Sequence, residues 1–338
     1  MRAMVLAAGL GERMRPLTLR TPKPALPVLG LPLIRHVFWR LRQDGVTHVV
    51  VNLHHLPEIM RAALEEAAKA TGLTVATTLE PEILGTGGGL LHAAAHLRGM
   101  GTVLVRNADF LADVDLPAAL VSHKKSGCPV TLALVPSRPG YSKVEVDAAG
   151  RVVSLAGKPE PASPPVSSHA FTGWQLVEDE VFERLPPGKS DTVRDLYRTL
   201  AAEGRLNGFV HTGTWVEVGS PLQMLEGVLS LLAAPAAVRA AVLDPAADPV
   251  EGMVARGAGA SLDGARLAGC VALGAGSVLE DAATLEDVVA LAGTRVGAAC
   301  LLRRVLLAPD TAIPDGTELT DAAAGPAEDG SLWVRSLA

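Results

Sequence analysis

Short apolar runs alternate with longer segments of helical period along the first part of the chain. The runs AMVLAA, HVVVNL, LTVATTL and TVLVRNADF are typical of strands buried on both faces, which are almost continuously apolar. Between them, PLIRHVFWRLRQDG and PEIMRAALEEAAKATG have the period of amphipathic helices. The alternation predicts an α/β fold, in which a Rossmann-like, mostly parallel sheet is flanked by helices. Ligands of such sheets bind at the carboxyl ends of the strands.

The alternation is interrupted between Ser137 and Leu176. This segment has strand-like runs around a loop rich in Pro and Ser, so it predicts a β-meander that forms a lid or an insertion. The alternation resumes weakly afterwards, and a helix that begins near Pro221 ends this part of the chain.

A different pattern begins after residue 232. Residues 233–250 are rich in Ala and Pro, which is typical of a linker. Aliphatic residues then recur every six positions, a period that the stacked coils of a β-helix require and an α-helix does not have; they are Leu267, Leu273, Leu279, Leu285 and Leu291, followed after a slip of one residue by Val296, Leu302 and Ala308. We therefore predict a domain over residues 1–232, a linker over 233–250, a small left-handed β-helix over 251–320 and a tail over 321–338.

Composition excludes some classes of function. The net charge is −6 and aromatic residues are only 3% of the chain, so we expect neither the basic face nor the stacking platforms of a nucleic-acid-binding protein. No uninterrupted apolar run reaches the roughly 18 residues of a membrane span. Cys128, Cys270 and Cys300 are far apart, which is typical of buried thiols in a reducing compartment. These features predict a cytoplasmic protein with no membrane partner.

The loop after the first strand concentrates glycines and cations. Gly9 and Gly11 let the backbone approach a phosphate closely, and Arg13 follows at once. Lys23 lies between two prolines, which stiffen the backbone around it. The third glycine of a dinucleotide fingerprint and the Gly-Lys-Ser/Thr of a Walker A loop are both missing. Two cations on a stiff loop therefore predict a clamp for a polyphosphate.

Six segments resemble, in the same order, the motifs of the sugar-1-phosphate nucleotidylyltransferases. They are LAAGLGERMRPLT with PKPALPV, LGTGGGL, NAD, GKP, FTG and WVEVGSP, and they lie within about the first 230 residues. A hexapeptide-repeat tail also occurs in this family. The resemblance is closest to its mannose-1-phosphate guanylyltransferases and N-acetylmuramate-1-phosphate uridylyltransferases.

The resemblance implies a reaction and a set of site residues. An oxygen of a sugar 1-phosphate attacks the α-phosphorus of an NTP, and pyrophosphate leaves, with Mg²⁺ as cofactor. The implied catalytic residues are Arg13, Lys23 and Asp109. The implied nucleotide-binding residues are Ala7, Ala8, Gly9, Gly11, Arg13, Lys23, Glu82, Gly87 and Gly88. The implied sugar-phosphate-binding residues are Asn107, Lys158 and Gly173, and the implied metal ligands are Asp109 and Glu217.

Three positions depart from the family pattern. Glu217 stands where the family has Asp, Gly157 replaces an acidic residue before Lys158, and Tyr141-Ser142 replaces a usual Tyr-Gly. The last two departures lie where the family contacts the sugar, so the sugar stays open. Glu217 leaves the number of metal ligands open because its side chain is longer by one methylene.

The sequence favours one function over three alternatives. The favoured function is that of a mannose-1-phosphate guanylyltransferase, working as a homo-oligomer that assembles through the β-helix. The alternatives are a uridylyltransferase for another hexose 1-phosphate and a non-catalytic regulatory homologue that binds an NDP-sugar. An acyltransferase activity of the β-helix is disfavoured because no histidine follows His211 to act as its base.

Overall fold

A computed structural model describes residues 1–161 and 164–337. Within this part of the chain the α-helices are α1 (Leu33–Gln43), α2 (Pro57–Thr71), α3 (Gly85–His92), α4 (Ala94–Leu97), α5 (Leu116–Ser126), α6 (Glu180–Arg184), α7 (Arg198–Ala202), α8 (Pro221–Ala233) and α9 (Ala236–Val242). The strands are β1 (Arg2–Leu6), β2 (Pro27–Val28), β3 (Leu31–Pro32), β4 (His48–Leu53), β5 (Thr74–Leu79), β6 (Val103–Asn107), β7 (Phe110–Ala112), β8 (Val130–Pro136), β9 (Lys143–Val146), β10 (Val152–Leu155), β11 (Ser167–Val177), β12 (Leu206–Val210), β13 (Trp215–Glu217), β14 (Val250–Glu251), β15 (Val254–Arg256), β16 (Ser261–Leu262), β17 (Arg266–Leu273), β18 (Val278–Leu279), β19 (Thr284–Ala290), β20 (Arg295–Val296), β21 (Leu301–Leu307), β22 (Ala312–Ile313), β23 (Glu318–Pro326) and β24 (Leu332–Ser336). No described helix has the length and apolar character needed to cross a membrane.

The chain divides into two compact units. The first consists of Met1–Leu10, Val37–Ala108 and Ala112–Trp215. The second consists of Gly11–His36, Asp109–Leu111 and the chain from Val216 onward.

The first unit is built on a mixed sheet with strand order β10-β9-β11-β6-β1-β4-β5, and β8 joins it through β11. Strands β1, β4, β5 and β6 are parallel. At its centre, Met4 pairs with Val50 on one side and Val105 on the other, and all three side chains are buried. Continuously apolar strands suit this position because helices cover both faces of a parallel sheet. The predicted mostly parallel α/β sheet is confirmed.

The segment between Ser137 and Leu176 forms antiparallel strands, but not in the order of a meander. Strand β9 lies between β10 and β11, whereas a meander would place β10 in the middle. The Pro/Ser-rich loop before Ser167 is long enough to carry the chain past β9 to its other edge. Ala162 and Ser163 of this loop lie outside the described residues.

The second unit contains a parallel β-helix. Its strands form one sheet of order β14-β15-β17-β19-β21-β23-β24 and a second of order β16-β18-β20-β22. Leu285 pairs with Leu302, and Leu302 with Leu319, so one coil takes 17 residues, close to three six-residue steps. On the second sheet, Val296 pairs with Leu279 and Ile313, which stack in the same way. The β-helix predicted from the six-residue period is confirmed.

One apolar core joins the β-helix to the rest of the second unit. Helix α8 contributes Val228 and Leu231, and β21 contributes Leu306, to a buried cluster that also holds Met14 and Leu17 of the loop after β1. The Ala/Pro-rich stretch 233–250 is folded within this unit, since it contains α9, and its residues Val242, Leu243 and Asp244 are buried.

His36 connects this stretch to α1. It is completely buried, its Nε2 lies 2.8 Å from the Val28 carbonyl oxygen, and the Asp244 amide donates to its Nδ1 over 3.0 Å. Nδ1 is therefore the acceptor and Nε2 carries the proton, which is the neutral ring. Burial lowers the pKa of His36 from 6.5 to about 4.

We expect this histidine to make the protein less stable in mild acid. Its folded-state pKa lies below its unfolded value, so the stability it contributes is present above pH 6.5 and is lost as the pH falls toward 4. The full loss is about 3 kcal/mol. Urea unfolding at pH 7.5 and 5.0 should show a larger drop for the wild type than for His36→Gln. Equal drops for the two proteins would contradict this account.

Candidate active site

The loop after β1 is shaped by Gly11. This residue has φ +64° and begins a short 3-10 turn over Glu12–Met14. Thr18 Oγ1 donates to the Gly11 carbonyl over 2.8 Å, and a Cβ on Gly11 would lie 2.9 Å from Thr18 Cγ2. Both the backbone conformation and the space therefore require glycine here. The turn presents Arg13 as an exposed side chain.

Arg13 lies against the backbone that leads into α8. A Cβ on Gly219 would be 3.2 Å from Arg13 Nη2 and closer still to Gln223 Oε1, so a side chain at this position would crowd both groups. Ser220 caps α8 by accepting a hydrogen bond from the Gln223 amide over 3.2 Å. The guanidinium is thus close to the positive end of a helix dipole, and both favour an anion.

Lys23 and Asp109 form a direct ion pair. Lys23 Nζ lies 2.6 Å from Asp109 Oδ2, and the two side chains are 11% and 28% exposed. Lys23 begins the 3-10 turn Lys23–Ala25, and the carbonyl of Asp109 accepts from the Val218 amide over 2.8 Å. The structure therefore brings together the predicted phosphate-binding cation and the predicted metal-binding carboxylate.

Glu217 is held by a residue that sequence reasoning missed. Gln223 Nε2, in the first turn of α8, donates to Glu217 Oε2 over 3.1 Å. Strand β13, which ends at Glu217, pairs with β7, which begins one residue after Asp109. Among the described residues, no group of three or more His, Cys, Asp or Glu side chains is placed to hold a metal. A carboxylate directly before β7 and another at the end of its partner β13 still suit Mg²⁺, which takes one or two carboxylates and completes its shell with substrate phosphates and water.

In the first unit, a buried network holds the end of β1. The Ala7 amide donates to Asn52 Oδ1 over 2.8 Å, and Asn52 Nδ2 donates to Glu80 Oε1 over 2.6 Å. The other oxygen of Glu80 accepts from the Leu84 amide over 2.9 Å. A fully buried carboxylate thus fixes both the LAAG segment and the start of LGTGGGL. The Ala7 amide is already bonded, whereas Gly9 is exposed, with no described atom within 4 Å of the position a Cβ would take.

Sequence reasoning chose Glu82 instead of Glu80. Glu82 is exposed, and its contact with a nucleotide stays a prediction. Asn52 and Glu80 share one sequence signal, since each is a polar residue at or directly after the carboxyl end of an apolar strand, where ligand-binding groups of parallel sheets occur.

Gly87 and Gly88 are buried in α3, not exposed in a turn. Their amides both donate to the Ser190 carbonyl, over 3.0 and 3.2 Å. A Cβ on Gly87 would lie 2.8 Å from Ser190 Oγ, and one on Gly88 would lie 2.9 Å from Leu84 Cβ. These glycines are therefore required for packing, and their amides are not available to a base. Nucleotide binding by them stays a prediction.

Two of the predicted sugar-phosphate residues are neighbours. Gly173 has φ +82°, and a Cβ on it would lie 2.6 Å from Asn107 Nδ2. The two residues are on the antiparallel strands β11 and β6. Lys158 is exposed in the turn after β10, where its carbonyl accepts from the Leu155 amide over 2.8 Å.

Comparisons with known proteins agree with the arrangement of motifs. The family model described as nucleotidyl transferase matches residues 2–233. A mannose-1-phosphate guanylyltransferase of Mycobacterium tuberculosis is 33% identical over 89% of this chain and 83% of its own length. A probable mannose-1-phosphate guanylyltransferase 3 of Oryza sativa is 30% identical over 68% of this chain and 64% of its own length.

A solved structure has the same fold. HddC from Yersinia pseudotuberculosis, crystallised with GMP-PN, superposes with a TM-score of 0.57 at 19% identity, over 68% of this chain and 98% of its own. The family model spans the whole alternating part of the chain, and the relative from Mycobacterium tuberculosis extends the similarity across the β-helix. The chain therefore belongs to the nucleotidyl transferase family.

Proposed function

We propose that the protein is a mannose-1-phosphate guanylyltransferase, which makes GDP-mannose and pyrophosphate from GTP and mannose 1-phosphate. The choice of base and sugar is supported by the similarity to the Mycobacterium tuberculosis enzyme of that name, which extends over 89% of the chain. The Lys23–Asp109 pair is the observation that supports the chemistry, because the cation proposed to bind phosphate lies beside the carboxylate proposed to hold the metal.

In the proposed reaction, an oxygen of mannose 1-phosphate attacks the α-phosphorus of GTP. A new phosphorus–oxygen bond forms, and the bond between the α-phosphorus and the bridging oxygen breaks in line with it, so that pyrophosphate leaves. Such a transfer depends on positioning and charge neutralisation more than on covalent help from the protein.

The roles of the side chains follow from their charges. Arg13 binds the β- and γ-phosphates as a bidentate donor, and Lys23 binds near the α-phosphate. Lys158 binds the phosphate of the sugar. Asp109 and Glu217 are the residues that would hold Mg²⁺, which supplies neutralisation of the phosphate charge. Assembly into a homo-oligomer and a cytoplasmic location remain predictions from the sequence.

The proposal is tested by pyrophosphate release. Four NTPs are each combined with the 1-phosphates of mannose, glucose, N-acetylglucosamine and N-acetylmuramate, in the presence of Mg²⁺. Release with GTP and mannose 1-phosphate alone would support the proposal, whereas release with UTP and another sugar would replace it by a uridylyltransferase. No release from folded protein that still binds GDP-mannose would favour a regulatory homologue.

Gln223 is expected to control the metal requirement. Replacing it by Ala leaves Glu217 without the amide that fixes its carboxylate, and a hydrogen bond to a charged group is worth about 1.5–3 kcal/mol when buried. Because this pair is partly exposed, we expect the Mg²⁺ concentration for half-maximal turnover to rise about tenfold or less. Gln43→Ala, on the exposed end of α1, is the matched control. An unchanged Mg²⁺ requirement in Gln223→Ala would show that the amide does not position Glu217.

A further inference from the structure

The Lys23–Asp109 pair has a consequence for the order in which ligands bind. Lys23 Nζ is only 2.6 Å from Asp109 Oδ2, which is the separation of a charge-assisted hydrogen bond. The Lys23 side chain is mostly buried, at 11% exposed, so bulk water screens the pair only in part. The ammonium group therefore occupies one side of the carboxylate that is assigned to the metal.

The backbone holds both partners in this arrangement. Lys23 lies between Pro22 and Pro24, and the turn is closed by hydrogen bonds from Ala25 to the Pro22 carbonyl and from Leu26 to the Lys23 carbonyl, over 2.8 and 3.1 Å. Asp109 is fixed through its own carbonyl by the Val218 amide. The ammonium group can therefore leave the carboxylate only by rotation of the long lysine side chain, which has four rotatable bonds.

A divalent cation approaching Asp109 alone meets two penalties. It must displace the ammonium group from the carboxylate, and the displaced ammonium has then lost its anion while remaining near a second cation. A nucleotide phosphate removes both penalties, since it offers Lys23 a new anionic partner.

We propose that Lys23 is the resident counter-ion of Asp109 and that it transfers to a nucleotide phosphate when the nucleotide binds, so that divalent-cation binding is coupled to nucleotide binding. The inference rests on the proposed function, because that function assigns Asp109 to the metal and Lys23 to the phosphate. By linkage the coupling is reciprocal, and couplings of this kind typically change affinity between fivefold and 150-fold.

The test measures Mn²⁺ binding to the full-length protein without nucleotide, through the electron paramagnetic resonance signal of free Mn²⁺. Lys23→Met removes the counter-ion, and we expect it to bind Mn²⁺ at least fivefold more tightly than the wild type. Lys23→Arg keeps the charge and should bind Mn²⁺ as the wild type does. Lys23→Gln is a second neutral variant in case the methionine variant does not fold.

A matched variant tests whether the change in Mn²⁺ affinity comes from the Lys23–Asp109 pair or from positive charge in general. Arg13→Met removes another cation of the same unit, one whose guanidinium lies beside Gly219, and we expect it to change Mn²⁺ affinity less than Lys23→Met does. Asp109→Asn should weaken Mn²⁺ binding in every background. Equal or weaker Mn²⁺ binding in both neutral Lys23 variants, or an equal gain in Arg13→Met, would overturn the inference.

The Mn²⁺ measurement does not require turnover, so a failure of the coupling can be distinguished from a failure of the proposed function. If no NTP and sugar 1-phosphate react but the neutral Lys23 variants bind Mn²⁺ more tightly, the proposed function fails and the counter-ion role stands. If GTP and mannose 1-phosphate react but the neutral Lys23 variants bind Mn²⁺ no more tightly than the wild type, the function stands and the coupling fails.

Discussion

Asparagine in place of Asp109 is expected to lower kcat for pyrophosphate release about a thousandfold, while the protein stays folded. The substitution removes the charge that we propose holds Mg²⁺ and leaves Lys23 without its anion, and removing one group that stabilises developing charge typically costs a factor of 10² to 10³. The loss of stability should be small, because the Asp109 carboxylate is 28% exposed and water compensates the change in part.

The measurement is kcat with GTP and mannose 1-phosphate at saturating Mg²⁺, together with a thermal melt. Asp113→Asn is the matched control, since Asp113 is also a partly buried carboxylate, directly after β7, but accepts from the Thr214 amide and lies 3.3 Å from His211 Nε2. We expect it to lower Tm and to leave kcat within a few-fold of the wild type. A folded Asp109→Asn protein with a tenth or more of the wild-type kcat would place the essential charge elsewhere.

Local pattern was sufficient to predict the architecture of both parts of the chain. Strand and helix periods are set by which faces are buried, so AMVLAA and HVVVNL could be placed in a parallel sheet without knowing their neighbours. The six-residue period was equally informative, because each coil of the β-helix repeats the same environment.

Partners far apart in the sequence could not be predicted in the same way. Asn52 and Glu80 are 28 positions apart and meet only because β4 and β5 are neighbours in register. Ser190 reaches Gly87 from a loop more than 100 positions away, and nothing in the local sequence of either predicts the other. The roles of these residues arise from tertiary packing, whereas Arg13 and Lys23 were found because their motif is contiguous.

The boundaries of the folded units also depend on contacts between residues that are far apart in the sequence. An Ala/Pro-rich stretch is typical of a linker, but here Arg35 Nε lies 2.6 Å from the Asp244 carboxylate and His36 accepts from the Asp244 amide. Near the end of the chain, Arg335 donates to the carbonyl of Arg15 over 3.2 Å. Composition does not encode these long-range contacts. The bond from Arg335 connects β24, which pairs with β23 of the β-helix sheet, to the loop that carries Arg13.

Aspartate in place of Leu306 is therefore expected to abolish turnover, although Leu306 lies in the β-helix, outside every catalytic motif. Leu306 is completely buried in the core that also contains Val228, Leu231, Met14 and Leu17. An unpaired carboxylate there costs more than about 4 kcal/mol, which is a large part of the stability of a typical domain. Because Met14 is the residue after Arg13, loss of this core should release the loop that carries Arg13 as well as the β-helix.

The experiment compares Leu306→Asp with Leu301→Asp on the same strand, whose side chain is 48% exposed. We expect the first variant to show a large drop in Tm or to be insoluble, with no measurable pyrophosphate release. The second should keep the wild-type Tm within a few degrees and retain turnover, since surface substitutions are usually within about 0.5 kcal/mol of neutral. A Leu306→Asp protein whose β-helix is disrupted but whose turnover is normal would mean that the catalytic loop does not depend on this core. In that case the β-helix would be separable from the chemistry, as the composition of residues 233–250 suggested.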